Sequence, residues 1–507
     1  MASTVILVPE LTISTLNPAV ALANVGVAVT GNRISATGNP GTLKSRFGEA
    51  ELIELPNCLL SPGFVNAHQH GRGLSQIQLG YHDDFLELWI HNRRARGPLD
   101  PYPVTKLAAV NMVANGVTAT IHANYSYGSG DYEGELRAAL RAYDEVGIRV
   151  TMCVGAMDRG SVVYPPHEAC FMRDLPLELR DWVTAPRPLA YAGDGSATVG
   201  LMSRLLSDFA GHPRIRLCYG PAGPQWVSDA LLSHLVRDAE RRDLGLHLHA
   251  LESPAQAAAA AEIFPGGAFA HLEAMGALTP RTVLAHGVWV AKADIEILAR
   301  NRAIIVRNAG CNLRLRNGIA PVAAYLQHGV RVAVGTDNAA LADDEDLLKE
   351  LRLVQQLAKV PDWNAPASSP TTEDLLAMAI TNGVAAAQLD GSIGVIEVGA
   401  KADLIAISLD AVRSPYLDED MRILEALFAR AQGTDVRMTM VDGRILYRNG
   451  VHLTVDCNEI HAKAAEAAKL ARVSSDRDAR VRTPQFASAI KDHYRTHGHP
   501  HPPAQPR

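Results

Sequence analysis

Eight short apolar runs, separated by stretches long enough for a helix, constrain this chain more than any other feature. The runs are 63–70 (GFVNAHQH), 116–124 (GVTATIHAN), 148–156 (IRVTMCVGA), 215–223 (IRLCYGPAG), 244–252 (LGLHLHALE), 281–288 (RTVLAHGV), 302–310 (RAIIVRNAG) and 330–338 (VRVAVGTDN). Between them, segments such as 133–146, 229–242 and 291–301 place apolar residues at helical spacing. Continuous apolar runs suit parallel strands covered on both faces. Eight strand–helix units at this spacing predict an α/β fold, a (β/α)8 TIM-like barrel.

The flanks read differently. Before the barrel, VGVAVTGNRISATG and AELIELPNCLLSPG suggest short antiparallel strands with turns at Gly31-Asn32 and Pro56-Asn57. After it, KADLIAISL and VRMTMVDGRILYRNG read alike, the second turning at Asp442-Gly443. Neither flank is long enough for a core of its own, so the two are expected to form one small β-sandwich. The expected organisation is therefore 1–60 plus 395–455 as a composite sandwich, 61–394 as barrel, and 456–507 as a helical extension with a flexible tail. The extension could dock on its own barrel or on a neighbour. The longest insertion between barrel strands, about 158–195, is rich in Pro and Gly, and insertions of that length are often functional.

Composition narrows the class. A formal net charge of -6 with mixed signs along the chain argues against a nucleic-acid partner. No segment forms an uninterrupted apolar membrane span, and MASTVILVPELTIS lacks the basic start of a secretory signal. The six cysteines are widely spaced with no CxxC pair, which fits reduced thiols and a cytoplasmic protein.

Chemistry-bearing residues gather where a barrel would use them. An active site forms at the C-terminal ends of barrel strands. Those ends carry His68 and His70, His122, His249 and Glu252, His286, Asn308 and Asp337. Residues two apart in a strand point the same way, so His68 and His70 can address one metal ion. His249 offers a third ligand with the Glu252 carboxylate beside it, the pattern of a hydrolytic metal site. Bland readings remain open: His247 can compete with His249, Glu252 can cap the next helix, and Asp337 can be a turn residue.

The ordered motifs PGFVNAHQH, HLHALES, LAHGVWV and VGTDN resemble the amidohydrolase superfamily. The nearest branch is the mononuclear one that holds nucleobase and adenosine-type deaminases and s-triazine hydrolases. CNLRLRNGIAPV (311–322) and GSIGVIEVGAKADLIAI (391–407) extend the resemblance to about residue 455. It implies that His68, His70, His249 and Asp337 bind one divalent metal, Zn2+ first, with Fe2+ or Mn2+ as alternatives. It further implies that Asp337 accepts the proton of the attacking water, that Glu252 is the general acid, and that His286 hydrogen-bonds water or substrate. The fourth strand has no lysine for a carboxylated bridge, which points to one metal rather than two.

His122, Trp89, Tyr125, Trp289, Asn308 and Cys311 are the candidate substrate contacts. Cys311 stands where the family commonly has serine, NAGCN lacks the usual proline, and 338–346 departs from the Asn-rich turn of the deaminases. The histidines of the HGHPHPP tail are set apart from the site. The expected activity is hydrolysis of a C–N bond in a small molecule, with deamination of a planar N-heterocycle as the leading reading. The alternative is an amide or urea bond in an anilide or arylurea, and a remote third is a non-catalytic binding or assembly protein. Relatives of this kind imply a homo-oligomer, a dimer first.

Overall fold

The computed structural model describes residues 3–160, 162–185, 190–337, 343–359, 369–389, 391 and 393–496. The HGHPHPP tail and positions 338–342 lie outside the described residues. The N-terminal flank contributes β1 (Thr4–Leu16), β2 (Ala19–Ala23), β3 (Gly26–Thr30), β4 (Arg33–Gly38) and β5 (Glu51–Pro62). The barrel strands follow: β6 (Phe64–Gln69), β7 (Val117–Ala123), β8 (Arg149–Ala156), β9 (Ile215–Pro221), β10 (Leu246–Ala250), β11 (Thr282–His286), β12 (Ile304–Arg307) and β13 (Arg331–Val334). The C-terminal flank adds β14 (Leu404–Ser408), β15 (Val436–Val441), β16 (Arg444–Arg448) and β17 (Val451–His452).

Strands β6 to β13 pair in sequence order, all parallel. Every residue of β6, β7, β8, β10, β11 and β12 is buried, which is why these segments are near-continuous apolar runs without strict alternation. The last strand returns to the first. The Asp337 N–H donates to the His68 carbonyl at 3.0 Å, and a Cβ on Gly335 would lie 2.6 Å from that oxygen. Gly335 is thus required by close backbone approach, and the same approach carries Asp337 to the histidines of β6.

The flanks meet as expected, hydrogen-bonded into one nine-stranded mixed sheet. Antiparallel pairing of β14 with β5 joins the two ends of the chain, and β1 runs parallel to β5. The inner face buries Leu7, Val27, Ile53, Leu60, Leu404 and Met438 as a core separate from the barrel. Turns fall at Gly31-Asn32 and at Asp442-Gly443, the latter with φ of 51° and 77°, the left-handed pair that a two-residue hairpin needs. Pro56-Asn57 is not a turn. Strand β5 runs through it, and Asn57 at φ 53° lies where the β1–β5 register slips, so the local signal made a bulge.

A buried arginine ties sheet to barrel. Arg149, first residue of β8, makes a two-pronged contact with Asp403 at 2.6 and 2.8 Å and reaches Asp442 at 3.0 Å. Arg149→Met should destabilise the protein by about 3–5 kcal/mol in a urea titration, because it strands a buried carboxylate. A loss below about 1 kcal/mol would mean that water replaces the guanidinium at no cost.

The extension docks on its own barrel. Helix Cys457–Val473 lies along helix Pro101–Ala114, and helix Arg477–Thr496 crosses Leu86–Asn92 and Leu177–Thr184. Phe486 and Ile490 are fully buried there with Leu88, Val163 and Phe171. Among the described residues, no helix is long and apolar enough to cross a membrane.

Candidate metal centre and active site

Strand β6 turns His68 and His70 toward the barrel mouth, where β10 delivers His249; ligand atoms of all three lie within 4.8 Å of one another. Outer hydrogen bonds fix two of the rings. Nδ1–H of His70 donates to the Ala123 carbonyl at 2.6 Å, and Nδ1–H of His249 to that of Ala222 at 3.0 Å. A carbonyl can only accept, so Nε2 of each ring presents a lone pair. His70 Nε2 then faces Asp337 Oδ1 at 3.0 Å, and His68 Nε2 faces the same oxygen at 3.2 Å. Burial lowers the pKa of His70, which keeps that ring neutral despite Asp337. Acceptors that converge this closely call for a cation between them. Nε2 of His68 and of His249 are buried with no hydrogen-bond partner, and three nitrogens with one carboxylate suit a divalent transition metal.

His247 does not compete for that position. Its Nε2 lies 2.7 Å from His68 Nδ1, on the far side of the His68 ring, and the two rings are stacked. Nor does Glu252 cap the following helix. Ser253 does so, its side chain accepting from the Gln256 N–H.

Glu252 stands beside the histidine cluster with Oε1 accepting from Asn317 Nδ2 at 2.8 Å and Oε2 3.5 Å from His286 Nε2. Burial, then the Asp337 and Glu87 carboxylates, push its pKa well above the usual range. Asp337 goes the other way: against the pull of burial, its position facing His68 and His70, where a cation would sit, keeps its pKa well below the usual range. Burial pushes His286 down to about 3, so it is neutral. One carboxyl is thus pushed toward its protonated form and its neighbour toward its ionised form, the separation that acid–base chemistry uses. His286 at φ 75° and Asp337 at φ 66° are both left-handed, a backbone cost of about 1–3 kcal/mol each that clusters at functional sites.

A cavity of about 310 Å³ opens onto this cluster, with His70, His249, Glu252, His286 and Asp337 in its floor. Of the candidate substrate contacts, Trp89 and Tyr125 line it. Tyr125 also stacks on His70 and bonds to His249 Nδ1 at 3.1 Å. The other four do not line it. His122 is fully buried against Gly71 and Tyr143, and Trp289 bonds to the Asn317 carbonyl at 2.6 Å, bracing the residue that holds Glu252. Asn308 starts helix Ala309–Arg314 behind His286. Cys311 is fully buried within that helix, its thiol grouped with Glu252, His286 and Asp337 but closed off from the cavity.

Several wall residues carried no sequence signal. Val162, Val163 and Tyr164 come from the long insertion, which its length did mark as functional, and Trp226 follows β9. Tyr494 comes from the C-terminal helix, and its hydroxyl accepts from the Tyr164 N–H at 3.1 Å. Nothing local in the sequence places that tyrosine some 400 residues downstream of the His68–His70 pair on the same cavity.

The fold and this cluster define a (β/α)8 barrel with a candidate metal site at its mouth. The amidohydrolase family model matches residues 59–446, and the chain belongs to that family. It is 29% identical over 424 residues to a 5'-deoxyadenosine deaminase of Methanosarcina acetivorans, covering 82% of this chain and 88% of that one. It is 28% identical over 450 residues to a 5-methylthioadenosine/S-adenosylhomocysteine deaminase of Desulforudis audaxviator, covering 87% and 94%. Among solved structures, an adenosine deaminase from Xanthomonas campestris with bound zinc superposes with a TM-score of 0.75 at 22% identity, covering 93% of this chain and 99% of that one. Atrazine chlorohydrolase from Arthrobacter aurescens complexed with zinc gives 0.75 at 20%, covering 92% and 100%.

Proposed function

We propose that this amidohydrolase releases ammonia or an amine from a ring carbon of a planar N-heterocycle. The observation that carries this reading is the pairing of a three-histidine cluster faced by Asp337 with a second buried carboxyl, Glu252, of raised pKa. His68, His70, His249 and Asp337 would hold one divalent cation, zinc first and ferrous iron or manganese as alternatives. When bound, the cation supplies a water nucleophile that is active near neutral pH.

The protein's own groups account for the proton transfers. Asp337 takes the proton of the attacking water. Glu252 delivers a proton to the ring nitrogen or the departing amine, which cannot leave as an anion. His286, whose Nδ1 accepts from the Asn312 side-chain N–H at 3.0 Å, carries its proton on Nε2, donates it in a hydrogen bond to the attacking oxygen and stabilises the charge developing there. The net change is one C–N bond broken and one C–O bond formed, with both hydrogens of water leaving on the amine or on the tautomeric ring product. Trp89, Tyr125 and Trp226 offer flat apolar faces for a ring. Relatives named for adenosine, 5'-deoxyadenosine and atrazine, each of which carries a planar N-heterocycle, support the substrate class.

The barrel, 61–394, carries the chemistry; the composite flank, 1–60 with 395–455, braces it; and Tyr494 of the extension, 456–507, completes the cavity wall. A cytoplasmic location accords with six free cysteines, and a homodimer remains part of the proposal. The second reading, hydrolysis of an anilide or arylurea, is favoured by one observation: the extra wall from the insertion and Tyr494 is apolar and aromatic.

Two assays test the proposal. Ammonia release from aminopurines and aminotriazines should be measurable with metal-loaded protein. Elemental analysis should find one metal ion per chain, and chelation should abolish turnover that added zinc restores. Two tightly bound ions per chain, or turnover unaffected by chelation, would contradict it.

A further inference from the structure

The carboxyls of Glu87, Glu252 and Asp337 line the cavity, and so do two arginines. Arg72 and Arg93 line the same cavity as Glu252 and Asp337, and both are half-buried. No carboxylate lies within ion-pair distance of either among the described residues. Arg72 Nη2 reaches the carbonyls of Tyr125 and Ser126 at 3.5 and 3.3 Å, and its guanidinium lies 4.3 Å from the Tyr127 ring centre. Among the described residues, Arg93 makes one hydrogen bond, Nε to the Ile90 carbonyl at 3.4 Å. Burial, with Arg72 beside it, pushes Arg93 down to about 10, and the groups that oppose this are tyrosines 191, 125 and 81, not acids. A second hollow shares Arg72 and Arg93; Arg94 and Arg96 also line it, and among the described residues no Asp or Glu does.

Two guanidinium groups brought together without an acid cost energy unless a ligand brings the counter-charge. Arginine's planar donor fork matches a carboxylate, and here the Nη groups of Arg93 stay available. In a chain of net charge -6, such an arginine pair is not a consequence of overall basicity. We propose that Arg72 and Arg93 form a carboxylate-binding subsite, and that the substrate is an aromatic ring whose C–N bond sits over the histidine cluster while a carboxylate arm points to this pair. This deepens the proposed C–N hydrolysis and rests on it.

The test is calorimetric titration of the zinc-loaded full chain with matched carboxylates and alcohols: benzoate against benzyl alcohol, phenylacetate against 2-phenylethanol, 3-phenylpropanoate against 3-phenylpropanol. At one arm length the carboxylate should bind about tenfold or more tightly than its alcohol, the size of one charged hydrogen-bonded contact. Arg93→Met and Arg72→Met should each erase most of that preference, and zinc-stripped wild type should keep it, which separates this subsite from a carboxylate bound on the metal. Equal binding at every length, a preference that survives both substitutions, or one that disappears with zinc overturns the proposal. Deamination of neutral heterocycles without any carboxylate preference would overturn it alone. A preference with no C–N hydrolysis of carboxylate-bearing substrates would overturn only the parent reaction.

Discussion

Glu252→Gln is expected to leave the metal bound and to lower kcat by about two orders of magnitude or more. The side chain is not one of the converging histidine-cluster ligands; it stands 3.5 Å from His286 and is held by Asn317. Glutamine keeps the volume and can still meet Asn317, so folding and metal content should match wild type. What it cannot do is give up a proton to a ring nitrogen or an amine. Burial already pushes the Glu252 carboxyl well above the usual range, toward the form that can donate. Parallel measurement of kcat and of metal per chain checks this. A glutamine variant with near wild-type turnover would remove the acid from the mechanism.

The second large effect is expected at Asp337. Its Oδ1 lies 3.2 and 3.0 Å from Nε2 of His68 and His70, and its Oδ2 faces His286 at 3.9 Å. Asp337→Ala removes the carboxylate that faces His68 and His70, and with it the acceptor for the water proton. Metal per chain should fall from one to near none, and turnover to the background rate. His249→Ala should behave the same way for metal. Full metal occupancy in either variant would show that the cation is held elsewhere.

Much of this site was legible because strand periodicity and strand-end position are local properties. His68 and His70 share a face by parity alone, and the runs of β6, β10, β11 and β13 end in residues that the structure brings to the mouth. The barrel followed from the same runs, which are apolar throughout because both strand faces are covered. Other features were not local. Strand β1 has no distinctive pattern, and its place beside β5 depends on pairing across some 45 residues. Pro56-Asn57 carries a turn signal that the long β5 absorbs as a bulge. His122 and Asn308 share the strand-end position of true cavity residues, but Gly71 and helix Ala309–Arg314 close them off. Tyr494 and the arginine pair reach the cavity only through tertiary docking of the extension and of the segment after β6.

The reaction itself is decided by following oxygen. Metal-loaded enzyme is incubated in 18O-labelled water with amino-heterocycles, anilides and arylureas, and the products are weighed by mass spectrometry. The account predicts loss of ammonia or amine from a ring, with one labelled oxygen retained on the ring carbon. Release of aniline with the label in an acyl or carbamoyl product, and no ring deamination, would contradict it and establish amide or urea hydrolysis in its place.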